Sequence, residues 1–134
     1  MSVRLKYLKR GDRAVVAVQL ALDTPGFTYQ KWGGLQRCKA NDWIVNNGGD
    51  VYTVDRETFE RTYRLTEVGR YVKVTPVWAE QAHEAGHVQT KEGVTHYGSG
   101  DYLVFNEEQG GDAYAVSADA FEAMYERVTH DGDT

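Results

Sequence analysis

One feature constrains this chain more than any other: residues 13–66 and 72–128 read as diverged copies of a single unit of roughly 55 to 60 residues. Asp42-Trp43-Ile44-Val45 matches Asp101-Tyr102-Leu103-Val104 at an offset of 59. Gly49-Asp50-Val51-Tyr52-Thr53-Val54 then matches Gly111-Asp112-Ala113-Tyr114-Ala115-Val116, and Phe59 with Tyr63 matches Phe121 with Tyr125, at an offset of 62. The three-residue difference falls between Asn46–Asp50 and Asn106–Asp112, where Gly and Asn supply the positive φ of a hairpin turn and length changes cost little.

The β-branched and aromatic runs flanking these turns, Trp43–Val45 with Val51–Val54 and Tyr102–Phe105 with Ala113–Val116, predict a central hairpin in each copy. Asp55 and Ser117 are N-cap residues with acids in the first turn behind them, so residues 55–63 and 117–125 predict short helices. Phe59 and Tyr63, like Phe121 and Tyr125, share one helix face, and helices of about two turns need that packing to form. Upstream, residues 14–20 and 71–78 read as the first strand of each copy, with Pro76 marking an edge or an end. Residues 27–32 and 87–90 read as the second.

The expected class is therefore mainly β (α+β). Two tandem repeats, 1–68 and 69–129, are each a small bent antiparallel sheet (an SH3-like barrel) with one short helix, packed with pseudo-twofold symmetry. A disordered tail over residues 130–134 follows, having nothing to bury.

Hydrophobic residues at 41% and charged residues at 26% fit a packed globular core. No apolar run approaches the roughly 18 needed to cross a bilayer, and the N-terminal residues are too charged for a signal peptide, so no membrane and a cytoplasmic location are expected. Cys38 is the only cysteine, which excludes an internal disulfide and suits a reducing compartment. The expected role of Cys38 is a half-buried strand residue rather than a reactive thiol.

The net charge of −5 argues against sequence-independent binding to duplex DNA. Residues 1–67 carry 11 Lys+Arg against 8 Asp+Glu, residues 68–134 carry 4 against 12, so the copies are electrically opposite. That contrast could steer copy against copy, within a chain or in a homo-oligomer, and leaves a basic face for an anionic ligand; drift on solvated surfaces accounts for it equally well.

His83-Glu84-Ala85-Gly86-His87 is a literal H-E-x-x-H, which on a helix sets two imidazoles one turn apart for zinc with the Glu as general base. The same register of the first copy holds Thr24-Pro25-Gly26, a turn, and Gly86 disfavours a helix, so His83 and His87 are expected on a loop. Trp43, Tyr52, Tyr102 and Tyr114 recur in both copies and belong to the core. Trp32 and Trp78 have no aromatic counterpart, which makes them candidates to stack on a ligand. Asp42, Asp101, Asp50 and Asp112 read as turn residues bonding their own backbone. The basic string Arg4, Lys6, Lys9, Arg10, Arg13 either contacts phosphate or forms a solvated arm.

Gln89-Thr90-Lys91-Glu92-Gly93, Gly98-Ser99-Gly100-Asp101-Tyr102-Leu103-Val104, Tyr114-Ala115-Val116-Ser117, Phe121 and Tyr125 resemble the PGDYG family of small bacterial and phage proteins. Ser99 stands where the family has Pro, and Leu103 where it has the final Gly; the first copy matches through Asn41-Asp42-Trp43, Tyr52, Phe59 and Tyr63. The resemblance implies a compact module of bacterial or phage origin and carries no catalytic residue.

With no phosphate loop, nucleophile set or dinucleotide fingerprint, the expected function is a non-enzymatic binding module without a cofactor. It would hold a nucleotide-like or other anionic small ligand between the copies, with a role in host-virus conflict conceivable. Arg10, Arg13, Arg37 and Lys39 join Trp32 and Trp78 as the ligand-binding candidates. The alternatives are a protein-protein adaptor and a metal-dependent hydrolase using His83, Glu84 and His87.

Overall fold

The computed structural model describes residues 4–10, 14–21 and 23–128. Residue 13 and the tail over 130–134 lie outside them. The fold is mainly β, with 54% of residues in strands and 12% in helices.

In chain order the elements are β1 (Leu5–Lys9), β2 (Ala14–Gln19), β3 (Phe27–Lys31), β4 (Gly34–Cys38), β5 (Trp43–Asn47), β6 (Asp50–Val54), α1 (Arg56–Thr62), β7 (Tyr63–Glu67), β8 (Arg70–Lys73), β9 (Val77–Gln81), β10 (Gly86–Gln89), β11 (Val94–Tyr97), β12 (Tyr102–Phe105), β13 (Ala113–Val116), α2 (Ala118–Met124) and β14 (Tyr125–Arg127). They form two five-stranded sheets, ordered β6-β5-β2-β8-β7 and β13-β12-β9-β1-β14, and two two-stranded ones, β3-β4 and β10-β11. Every pairing is antiparallel and none of the sheets closes on itself.

The central hairpins form where β-branched and aromatic residues flank Gly-rich turns, β5-β6 and β12-β13. Both helices begin at the expected caps: Asp55 accepts the N–H of Thr58 and Ser117 that of Ala120. Each buries a phenylalanine. Phe59 joins Val15, Ala17 and Val45, while Phe121 joins Val77, Ala79, Val104 and Tyr125. Stacking extends both clusters, Phe59 lying 4.2 Å from Trp43 and Phe121 4.2 Å from Tyr102 between ring centres.

Two expectations are overturned. Residues 71–78 are not one strand: Pro76, which has no N–H for a ladder, separates β8 from β9, and the two strands belong to different sheets. Nor is the basic N-terminal string a solvated arm. Leu5–Lys9 is a strand between β9 and β14, with Tyr7 opposite Val77 on one side and Arg127 on the other. In return β8 lies between β2 and β7, with Tyr71 opposite Val15 and Leu65. Each large sheet thus contains one strand contributed from the other part of the sequence.

The β3-β4 and β10-β11 hairpins meet through a bridge between Gln36 and Gly93. Gly34 and Gly93 allow the approach, since a Cβ on either would collide with the carbonyl of Val94 or Leu35 respectively. Fully buried Gln36 fastens the junction by donating its amide to the carbonyls of Lys31 (2.9 Å) and Val94 (2.8 Å). No helix among the described residues is long and apolar enough to cross a membrane.

Candidate functional site

Between the two large sheets lies a cavity of about 390 Å³, within the size range of small-molecule sites. Side chains alternate faces along a strand, so Tyr52 on β6 and Tyr114 on β13 point inward with Val54 and Val116. Tyr63 and Tyr125, the first residues of β7 and β14, add two more rings. Lys9 and Lys73 end β1 and β8 on the same wall, 8% and 6% exposed.

The Lys73 ammonium donates to Asn106 Oδ1 at 2.8 Å and to the Tyr114 hydroxyl at 3.0 Å. No carboxylate of the described residues lies within 4 Å of it. Lys9 and Lys73 both approach the Tyr63 ring, 5.9 and 6.0 Å from its centre. Burial lowers Lys73 to about 7, the charges of Lys9 and Arg61 adding to the push and Asp112 opposing it. Burial also lifts Tyr52, Tyr63, Tyr114 and Tyr125 above the ordinary phenol value, Tyr125 to about 12. These hydroxyls stay protonated at neutral pH. Tyr114 and Tyr125 oxygens lie 3.4 Å apart, and Asn47 donates to the Tyr52 hydroxyl and to Met124 Sδ.

The acids of the wall are engaged elsewhere. Asp112 accepts from Thr58 (3.0 Å), Arg61 (3.0 Å) and Asn106 (3.1 Å), and Asp50 pairs with Lys31 at 2.9 Å. Neither carboxylate accepts a backbone N–H of its own turn as the sequence suggested; Asp112, at φ 58°, takes the Asn106 side-chain amide and reaches across to α1. Asp42 and Asp101 do serve their turns, accepting the N–H of Lys39 and of Gly98, each at 2.8 Å. Above the cavity the β10-β11 turn is fixed to the start of α1. Glu92 accepts the Asp55 N–H at 2.7 Å, and Lys91 donates to Thr58 Oγ1 at 2.8 Å. Burial raises Glu92 to about 7, against the Asp55 N–H that favours its charged form.

Of the described ligand-binding and metal candidates, Trp32, Trp78, Arg10, Arg37, Lys39, His83 and His87, Trp32 alone lines this cavity; Lys9, Tyr52, Tyr114, Asp50, Asp101 and Asp112, given other roles from sequence, line it too. Trp32 is 38% exposed, holds φ 55°, which a bulky side chain rarely adopts, and sets its ring 5.6 Å from that of Tyr52. Its carbonyl accepts the His96 N–H at 2.9 Å. Trp78 sits opposite Lys6 and Phe105 in the ladder, away from the cavity. Arg10 donates to the Glu122 carbonyl, Arg37 to the Pro25 carbonyl, and Lys39 pairs with Asp42 and Asp55 at 3.2 Å. Arg13 lies outside the described residues.

His83 and Glu84 form a bend and His87 begins the second residue of β10, so the helix that H-E-x-x-H requires is not formed there. His87 instead faces His96 across the hairpin, ring centres 5.7 Å apart. Among the described residues no three His, Cys, Asp or Glu gather as a metal set. Cys38 is fully buried, which raises its thiol pKa.

Sequence reasoning passed over Lys73, Tyr63, Tyr125, Asn47 and Asn106 as site residues. A signal existed: Lys6-Tyr7-Leu8-Lys9 reads like Arg70-Tyr71-Val72-Lys73, and both strings end in a buried lysine. No family model, curated protein or solved structure matches the chain.

Proposed function

We propose that this protein is a binding module that holds a small anionic ligand in the cavity between its two large sheets. The observation that carries the proposal is Lys73, a buried ammonium on the cavity wall held by a neutral amide oxygen and a neutral phenol. Burying a cation costs several kcal/mol unless it is compensated, and an anion entering the cavity would supply the missing countercharge. Lys9 on the same wall adds to the positive potential, and Trp32 offers an aromatic face at the cavity. The ligand-binding set is then Lys9, Lys73, Asn106, Tyr114 and Trp32, rather than the surface cations Arg10, Arg37 and Lys39.

The same proposal takes the chain as two copies of a PGDYG-like unit packed about a pseudo-twofold axis. The correspondence of sheet orders supports it, as does the placing of Tyr52 with Tyr114 and Lys9 with Lys73. The test is thermal unfolding with a panel of phosphates, carboxylates and nucleotides. Stabilisation by one anionic class, lost in Lys73→Met, is expected; a panel without effect would sink the proposal.

A further inference from the structure

The chemistry of Lys73 allows more than ion pairing. Resting on the anion-binding reading above, we infer that Lys73 captures the carbonyl of a small 2-oxo acid as a reversible imine. Three observations converge on it. The amine stands on the wall of a cavity large enough for such a molecule with a further side chain. A second ammonium, Lys9, lies near the same Tyr63 ring, so a carboxylate next to the carbonyl has a cation to meet. A phenol kept protonated by burial, Tyr114, sits 3.0 Å from the nitrogen, able to return a proton to the departing oxygen.

The step balances without a redox partner. Neutral Lys73 attacks the carbonyl carbon, a C–N bond forms as the C–O π bond opens, and proton transfer from nitrogen to oxygen gives the carbinolamine. Tyr114 donates its proton to that hydroxyl, water leaves as the nitrogen lone pair closes the C=N bond, and the proton left on nitrogen returns to the Tyr114 oxygen to give the imine, whose hydrolysis reverses each step. A desolvated lysine beside another cation is the environment in which an amine is neutral, and so nucleophilic, near pH 7. Burial, Lys9 and Arg61 lower the Lys73 pKa; Asp112 raises it; and the facing Tyr63 and Tyr114 rings bring no charge at neutral pH.

The experiment incubates the full chain at pH 7 with pyruvate and cyanoborohydride, which reduces an imine to a stable secondary amine, and maps the adduct by peptide mass spectrometry. Lactate, which has the carboxylate and no ketone, serves as competitor. Thermal shifts with pyruvate and with lactate are recorded in parallel. Expected is one dominant adduct on Lys73, formed at least about tenfold faster than on any surface lysine and slowed by lactate. Mapping the unaltered chain needs no variant, and Lys73→Arg, which cannot form the imine, should lose the adduct. Thermal shifts with both acids but no adduct on Lys73 would overturn capture and leave anion binding standing. Neither shift nor adduct would overturn capture and leave anion binding to the wider panel, and labelling spread evenly over Lys31, Lys39 and Lys91 would overturn capture.

Discussion

Lys9 and Lys73 occupy matching places in two different sheets: Lys9 stands opposite Tyr125 in the β1-β14 ladder, and Lys73 opposite Tyr63 in β7-β8. Both are buried, and both reach the space between the sheets. The cost of that arrangement should be readable in the pH dependence of stability.

Glu92 is raised from 4.5 to about 7, so between those values the folded chain holds the proton more tightly than the unfolded one. Its contribution is complete below 4.5 and lost by about 7. Lys73 is lowered from 10.5 to about 7, so above 7 the unfolded chain is the better proton binder and stability rises toward 10. Chemical denaturation at pH 5, 7 and 9 should therefore give a minimum near 7, each group contributing a slope of at most about 1.4 kcal/mol per pH unit. Glu92→Gln should flatten the acid limb and Lys73→Met the alkaline one. A monotonic profile in the unaltered chain would contradict the burial of one or both.

Asp42, 1% exposed, accepts the N–H groups of Lys39 (2.8 Å) and Arg56 (3.0 Å) and pairs with Lys39. Asp42→Ala orphans two backbone donors and should cost about 2 to 5 kcal/mol in urea unfolding. Asp101 accepts one such bond, from Gly98, and Asp101→Ala should cost roughly half as much. Equal costs would mean that the Arg56 contact contributes nothing.

Gly93 sits where the two small hairpins touch, and any Cβ there meets the Leu35 carbonyl. Gly93→Ala should destabilise by about 3 kcal/mol or more, since backbone rather than a flexible side chain must yield. Gly48→Ala is the control: a Cβ there meets nothing, but φ of 63° still strains it, and the expected cost is about 1 kcal/mol. Differential scanning calorimetry of the pair separates collision from backbone strain.

How much of this was legible beforehand follows from local chemistry. Trp43–Val54 and Tyr102–Val116 announce hairpins because aromatic and β-branched residues surround a turn, and Asp55 and Ser117 announce helices through their caps. These signals lie within a few residues of what they predict. Leu5–Lys9 fails the same test because its buried end is a lysine, and a string holding Lys6, Lys9 and Arg10 looks solvated. The cavity is hidden for a different reason. Its wall depends on Lys9 meeting Tyr125, residues far apart in the chain, and no local pattern encodes that pairing. Trp32 could be singled out by its lack of a counterpart; Tyr63 and Tyr125 had already been assigned to helix packing, which concealed their second role.

The placement of β1 and β8 also sets a timetable for the newborn chain. Strand β1 has no ladder partner until β9, and then β14, have been made, and the earlier large sheet stays open in its middle until β8 arrives. The outer edge of β1 therefore stays unpaired until β14 has been translated, and that late strand, setting Tyr125 opposite Lys9, completes the sheet.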